Sequence, residues 1–291
     1  IDGQVLFTTD TYVVDPPFFP GSDIGKLAVN GTCNDISVAG GKPMYLSLGF
    51  VLEEGFHIDQ LKKVLFSIKE GADEAGVHVV TGDTKVVPHG KGGGIYINSS
   101  GVGRKEYTYT LSPNRARQGD VIMVSGPLGE HGMAVLAQRE KLSVASHLRS
   151  DCADLYPLCR ELFSLGEELR FIRDVTRGGL SAILNETAHE LNGGIIIEEQ
   201  EVPIKERVAS VSEILGLNPL EVANEGVLMC IVSQQVAGKA LELMRKHERG
   251  KAAGIIGAVS EARSKKVLLK TTIGGKRVLY YPRGLLLPRI C

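Results

Sequence analysis

The sequence predicts a two-domain protein of mixed helices and strands, with an α+β first half and an α/β second half. Three observations carry this. The chain has 291 residues, enough for two ordinary cores. Stretches with strand-like alternation and stretches with helical spacing succeed one another along the whole length. Near residues 107–119 the polar run "YTYTLSPNRARQGD" interrupts that succession, which puts a domain boundary there. The expected division is an N-terminal domain over 1–110, a C-terminal domain over 111–278 and an extended tail over 279–291.

The elements of the first half follow in order. "QVLFTTDTYVV" (4–14) is rich in Val, Thr and aromatics and reads as a strand. In "SDIGKLAVNGTCNDISVAGG", Ile24, Leu27, Ala28, Ile36 and Ala39 recur at helical spacing behind Asp23, a cap residue. "MYLSLGFVLE" returns to strand character. Over 58–76, Ile58, Leu61, Val64, Leu65, Ile68, Ala72 and Ala75 form one apolar stripe, the clearest helix in the chain. "VHVVTGDTKVV" and "GGIYINSSGVG" are strands, completing a β-α-β-α-β-β unit that fits a helix-backed sheet.

In the second half, strand "DVIMVSG" leads into a helix over roughly 130–140, and a second helix covers about 152–166. Strands "LRFIRDV" and "GGIIIEE" bracket the helix "LSAILNETAHEL". Further helices are expected near 205–216 and 235–248, with strands in "EGVLMCIVS", "AAGIIGAVS" and "KKVLLK". The two halves share this grammar but no motif, so no internal repeat is inferred.

Composition narrows the function. A hydrophobic fraction of 43%, a charged fraction of 23% and a net charge of −1 describe a folded chain with no electrostatic reason to bind nucleic acid or an anionic membrane. No apolar run approaches the ~20 residues that span a bilayer, and no signal peptide is present. The chain opens at Ile1 rather than Met, which points to residues upstream. Its five cysteines are odd in number and widely scattered, which argues against a disulfide framework and for a reducing, cytoplasmic setting. Cys152 and Cys159, seven apart on one face of the expected helix, read as core residues. The last cysteine is different. "YPRGLLLPRIC" ends the chain in a thiol behind two prolines, and eleven extended residues reach roughly 35–40 Å.

The chemistry-bearing residues cluster around glycine turns and strand ends. "GSDIGKL" has the wrong spacing for a P-loop and lacks Ser or Thr after Lys26. "GKGGGIY" reads as a flexible turn. Carboxylates stand out instead: Asp10 in "FTTDTYVV", Asp35 in "NGTCNDISVAGG", Asp83 in "VVTGDTKVV" and Asp174 in "IRDVTRGGL". Magnesium takes oxygen ligands from a few carboxylates together with substrate phosphates. A phosphoryl-transfer site without a P-loop can be assembled this way, with Lys85 supplying positive charge. In "DVTRGGL", Gly178 and Gly179 open a helix whose amides can face an anion beside Thr176 and Arg177. Glu225 in "EVANEGVLMCIV" precedes a strongly apolar strand, where a carboxylate with raised pKa can act as a general base. His131, at a Gly-bounded helix start, is either an anion contact or a cap. Singly, each of these residues is as well explained by a cap, a turn or a solvated charge.

Together, "FTTDTYVVDPPFFPGSDIGKLAVNGTCNDISVAGG", "VTGDTKVV", "DVTRGG", "VANEG" and the terminal "PRIC" resemble the HypE family of hydrogenase-maturation proteins. The resemblance runs from about residue 5 to the last residue. It places the chain in the wider superfamily of aminoimidazole ribonucleotide synthetase, thiamine-monophosphate kinase and selenophosphate synthetase, which share the ATP-binding motifs but not the PRIC tail. It implies an aminoimidazole-ribonucleotide-synthetase-like fold in a homodimer whose N-terminal sheets join into one barrel. ATP and Mg2+ would lie in the cleft between domains, with Asp10, Asp35 and Asp83 at the metal. Thr84, Lys85, Asp174, Thr176, Arg177, Gly178 and Gly179 would lie around the nucleotide, and Glu225 would accept protons. It further implies that the carbamoyltransferase HypF loads Cys291 with a carboxamide, that ATP drives its dehydration to a thiocyanate, and that the cyano group passes to iron on a HypC–HypD complex for the [NiFe] hydrogenase. Cys291, Glu225 and Lys85 are thereby implied as the catalytic set. The family's Gly-rich segment ahead of the TTD strand is not in this sequence. Two other readings stay open on the residues alone: an ATP-dependent small-molecule kinase or synthetase of the same superfamily, and a docking scaffold that needs no nucleotide.

Overall fold

The computed structural model describes residues 3–142, 147–191, 193–261 and 265–282. The first half is a four-stranded sheet of β1 (Val5–Tyr12), β4 (Gly41–Glu53), β5 (His78–Val87) and β6 (Ile95–Lys105), in the order β1-β6-β4-β5. Only β4 and β5 run parallel. Two short strands, β2 (Phe18–Phe19) and β3 (Ser22–Asp23), form a ribbon that the sequence did not announce.

Helices α1 (Ile24–Val38) and α2 (Ile58–Ala75) pack on each other, and α1 lies against the sheet. The α1 cap is the expected one: Asp23 Oδ1 accepts the N–H groups of Gly25 at 2.7 Å and Lys26 at 3.2 Å. Ile24, Leu27 and Ala28 are fully buried in the core this layer forms with the sheet. Asp35, expected beside a turn, instead projects from the body of α1.

The second half is built on seven strands: β7 (Val121–Val124), β8 (Leu169–Asp174), β9 (Gly194–Glu198), β10 (Leu228–Val232), β11 (Gly254–Ser260), β12 (Val267–Lys270) and β13 (Lys276–Leu279). Their order is β13-β12-β9-β11-β7-β10-β8, antiparallel except for β12 beside β9. One core, with Leu180, Ile183 and Leu184 of α5 (Gly179–Glu190), covers one face. A second, with Leu158 and Leu162 of α4 (Tyr156–Phe163) and Leu243 of α7 (Ala237–Arg245), covers the other. Helices α3 (Glu130–Arg139) and α6 (Glu206–Leu215) pack together at one end.

Three expectations shift. Helix α4 starts at Tyr156 with proline in its first turn, not at 152, so Cys152 precedes it and shares no helix face with Cys159, although both are buried. His131 is wholly buried, bonded through Nδ1 to Ser150 Oγ at 2.8 Å and edge-on to Phe19, so it is a packing residue rather than an anion contact. Strand β13 is additional. Among the described residues no helix is long and apolar enough to cross a membrane. The halves are in contact: α1 packs on α4 and β8, and Cys152 and Ala223 join the first-half core.

Candidate active site

A cavity of about 310 Å³ opens where the two halves meet. From the first half, β1 contributes Thr9, Asp10 and Tyr12, and α1 contributes Gly31 and Asp35. From the second, β8 ends at Arg173 and Asp174, the next turn supplies Thr176 and Arg177, α5 supplies Glu186, and the loop before β10 supplies Glu225. Tyr281, just beyond β13, completes the wall. Asp10, Asp35, Asp174, Thr176, Arg177 and Glu225 therefore meet at one place, although they lie up to 215 positions apart in the chain.

The local folding that puts them there is specific. Asp35 Oδ2 accepts the Thr8 hydroxyl at 2.8 Å, joining α1 to β1. Tyr12 lies flat on α1, its hydroxyl 3.1 Å from Thr32 Oγ1, and only glycine at 31 admits it: a Cβ there would stand 2.4 Å from the phenolic oxygen. Gly179 has φ +60°, and a Cβ would meet the carbonyl oxygens of Leu220 and Val222 at 2.6 and 2.7 Å. Its own N–H is taken by Thr176 O at 2.9 Å, so it shapes the turn at the head of α5 rather than offering that amide to a ligand. Asn224 pins the Glu225 loop, accepting Gly129 N–H at 2.7 Å and donating to Val175 O at 3.1 Å.

The electrostatics are strongly one-sided. Glu225 is 4% exposed. Burial, reinforced by the negative charges of Asp174, Asp151, Asp10 and Asp35, pushes its carboxyl far above the ordinary carboxylate range. Burial and the nearby Asp35 raise Asp174 to about 7, with the Arg173 guanidinium pulling the other way. Asp35 is raised by burial and Asp10, and the Thr8 hydroxyl opposes this. The counter-charges on the wall are Arg173, tied at 2.8 Å to Glu186, and Arg177.

Such a site calls for cations. Among the described residues, no three acidic, histidine or cysteine side chains form a closed metal cage. That fits magnesium held by one or two carboxylates and substrate phosphates rather than by protein alone. Asp10 and Asp35 present hard carboxylate oxygens of the type magnesium takes.

Asp83, Thr84 and Lys85 lie elsewhere in the single chain. They sit on β5, the sheet edge opposite β1, roughly 14 Å away at ~4.8 Å per strand step. All three are exposed, with Thr84 N–H on Asp83 Oδ1 at 2.8 Å and Lys85 Nζ 3.6 Å from Asp83 Oδ2. Cys291 falls outside the described residues. Sequence reasoning missed Tyr12, Arg173, Glu186 and Tyr281. Arg173 carried a usable signal, since it adjoins Asp174 in "IRDVTRGG" and must share its strand end.

Fold and site together define an AIR synthase-related protein. Residues 1–105 match the family described as "AIR synthase related protein, N-terminal domain", and residues 117–270 match the corresponding C-terminal domain. A thiamine monophosphate kinase structure from Aquifex aeolicus shares the fold at a TM-score of 0.70 and 20% identity, over 95% of this chain and 90% of that one. Similarity is far higher to proteins named carbamoyl dehydratase HypE: 46% identity with that of Bradyrhizobium diazoefficiens (99% of this chain, 84% of the relative) and 45% with that of Azotobacter vinelandii (99% and 85%). A crystal structure of HypE in complex with ATP superposes with TM-score 0.95 at 43% identity, covering 100% of this chain and 88% of that one. A HypE–HypF complex gives 0.92 at 45% identity, covering 96% and 90%. The chain belongs to the HypE family.

Proposed function

We propose that this chain is an ATP-dependent carbamoyl dehydratase acting in hydrogenase maturation, and that it converts a carboxamide on the Cys291 sulfur into an S-cyanide. The observation that carries the reading is the cleft itself. Carboxylates from both halves converge on it, and its last wall residue, Tyr281, stands ten positions before Cys291. Ten extended residues reach up to ~36 Å. The path toward the cleft is supported by Ser181 Oγ, which donates to Tyr280 O at 3.1 Å, and by the Tyr281 hydroxyl, which donates to Glu186 Oε1 at 3.4 Å.

An amide oxygen leaves poorly. In the proposed step it attacks the γ-phosphorus of ATP and ADP departs. The carbon–oxygen bond then breaks, with oxygen leaving as phosphate. Both nitrogen protons are lost as the carbon–nitrogen triple bond forms. Glu225, buried beside the reacting atoms, takes them one at a time, passing the first to solvent before it accepts the second. Arg173, Arg177 and Thr176, set by the turn that Gly178 and Gly179 shape, bind the nucleotide phosphates at the mouth beside Asp174. Mg2+ held by Asp10 and Asp35 would neutralise phosphate charge and favour the ionised carboxylates.

Asp83, Thr84 and Lys85 enter through a homodimer in the proposed arrangement. β5 leaves Val80 and Val86 61% and 67% exposed on an unpaired edge, and β1, the other edge, leaves Phe7 68% exposed. Pairing these edges between copies closes a barrel and carries the partner's Asp83 and Lys85 toward the cleft. HypF is the partner that loads the thiol, by analogy with the HypE–HypF complex. A HypC–HypD complex is the acceptor that carries iron.

The test is mass spectrometry of the C-terminal peptide after incubation with HypF, carbamoyl phosphate and ATP. The expected product is a carboxamide adduct on Cys291 that loses the elements of water when ATP is hydrolysed. Cys291→Ala should fold and bind ATP yet yield no product. A cyano adduct on any other cysteine of that variant would overturn the carrier role.

A further inference from the structure

Behind Glu225 lies a second carboxylate that the reaction above does not use. Asp151 is 5% exposed, in the segment leading to α4. It accepts the backbone N–H of Glu225 on both oxygens at 3.2 Å and the N–H of Gly226 on Oδ2 at 3.0 Å. The carbonyl of Glu225 is held as well, by Ala153 N–H at 3.2 Å and Asn34 Nδ2 at 3.4 Å. Gly226 leaves no slack, since a Cβ there would stand 1.9 Å from Asp151 O. The segment is itself anchored: Ser150 N–H donates to Pro20 O at 2.8 Å, and Asn34 Oδ1 accepts Leu155 N–H at 2.8 Å.

A carboxylate grips backbone N–H groups more strongly than a neutral asparagine or serine oxygen does, but it also places an unpaired negative charge in the interior, which is costly. None of the ion pairs found among the described residues involves Asp151. The charge therefore acts on what it faces, and the nearest candidate is the loop it grips.

We propose that Asp151 is a positioning residue for the proton acceptor, fixing the Glu225 backbone and setting a second negative charge behind the Glu225 carboxyl. This rests on the reading of Glu225 as the base. The groups facing Glu225 are Asp174 from β8, Asp10 and Tyr12 from β1, Asp35 from α1, and Asp151 and Cys152 from behind; Asp151 in turn faces Glu130 at the start of α3 and Cys152. Burial lifts Asp151 itself to about 6, with the amides of Glu225 and Gly226 opposing the rise. When ionised, it raises the proton affinity of Glu225.

The experiment is the pH dependence of single-turnover dehydration of the carboxamide-loaded protein, for the parent, Asp151→Asn and Glu225→Gln. The rate climbs with pH as Glu225 ionises. Removing the charge behind it should move that limb about one unit to lower pH and lower the plateau about tenfold, less than loss of the base itself. The Mg-ATP-induced thermal shift should stay as in the parent. A slower Asp151→Asn protein with an unmoved limb would reduce Asp151 to a structural clamp and overturn the proposal. Fast turnover by Glu225→Gln would overturn it together with the base assignment, so the two failures are distinguishable. Should Asp151→Asn not fold, the Gly226 amide resonance of the parent reports the same coupling. It should titrate in two steps in the parent and in one in Glu225→Gln. Identical single-step curves would overturn the proposal.

Discussion

Glu225 and Asp174 are 4% and 7% exposed in the cleft, whereas the side chains of Asp83 and Lys85 on β5 are 73% and 75% exposed. In the sequence these residues look alike, each an acid or base within four residues of a glycine and in or next to a strand. The fold treats them in opposite ways. The cleft carboxylates are drawn from both halves into a space where their charges oppose one another, an arrangement that costs stability unless a cation or a proton enters. The β5 residues cost nothing in water and do nothing alone. They gain a role only if another surface covers the strand. One cluster is assembled within the chain, and in the proposed dimer the other is completed by a second copy.

The largest break in this comparison comes at Glu225. Glu225→Gln is nearly isosteric and keeps its backbone clamp, so folding and ATP binding should persist while dehydration falls ~10²–10⁴-fold. The carboxamide on Cys291 should then accumulate in the presence of ATP, seen as an unconverted peptide mass. Near-normal conversion by a folded Glu225→Gln protein would leave Glu225 as a loop residue and pass the proton-acceptor role to Lys85.

Asp83→Asn tests the other region. A ligand at 100 times its dissociation constant stabilises the folded state by ~2.7 kcal/mol. Thermal melts with and without Mg-ATP should therefore separate for the parent and draw together for Asp83→Asn, provided the β5 edge of a partner completes the site. Dilution below the dimer dissociation constant should mimic the substitution. An ATP-induced shift that survives both would confine the nucleotide site to one chain.

Legibility in the sequence followed the range of the interactions. α2 was readable because its apolar residues repeat at helical spacing and its exposed face tolerates charge. The α1 cap was readable because Asp23 and the amides it accepts lie within three residues. β13 was missed because "KRVL" has only two apolar residues, although the Gly274–Gly275 turn that makes its hairpin was a signal: Gly274 has φ +85°, and Thr271 N–H bonds Gly275 O at 2.8 Å. Asp10, Asp35, Asp174 and Glu225 were found as motif residues, but only the family resemblance implied that they share one cleft; their own pattern did not, since the convergence depends on how α1 docks on β8. The supports were least visible of all. Asp151 grips the Glu225 loop across 74 positions and Asn34 across 191, and neither residue type signals that in its own neighbourhood.

The smallest expected effect is a pH-dependent one at Asp174, and it sharpens the contrast because it reads the cleft without catalysis. Asp174 titrates at about 7 in the fold against an ordinary 3.8, through burial first and Asp35 second. The native state thus holds this proton more tightly than the unfolded chain. Below pH ~4 both states are protonated, and the site carries no penalty. As pH rises from about 4 to about 7 the unfolded chain releases the proton first, so native stability falls across that window, and above it the penalty is complete. Asp174→Asn removes the penalty while keeping size and one carbonyl oxygen. In urea melts without nucleotide it should be more stable than the parent at pH 8, by on the order of 2–4 kcal/mol, and the advantage should vanish near pH 4. A difference between the two proteins that is the same at both pH values would mean that Asp174 is not held as a buried acid. The one-sided charge of the cleft would then not be a stability cost that cations must relieve.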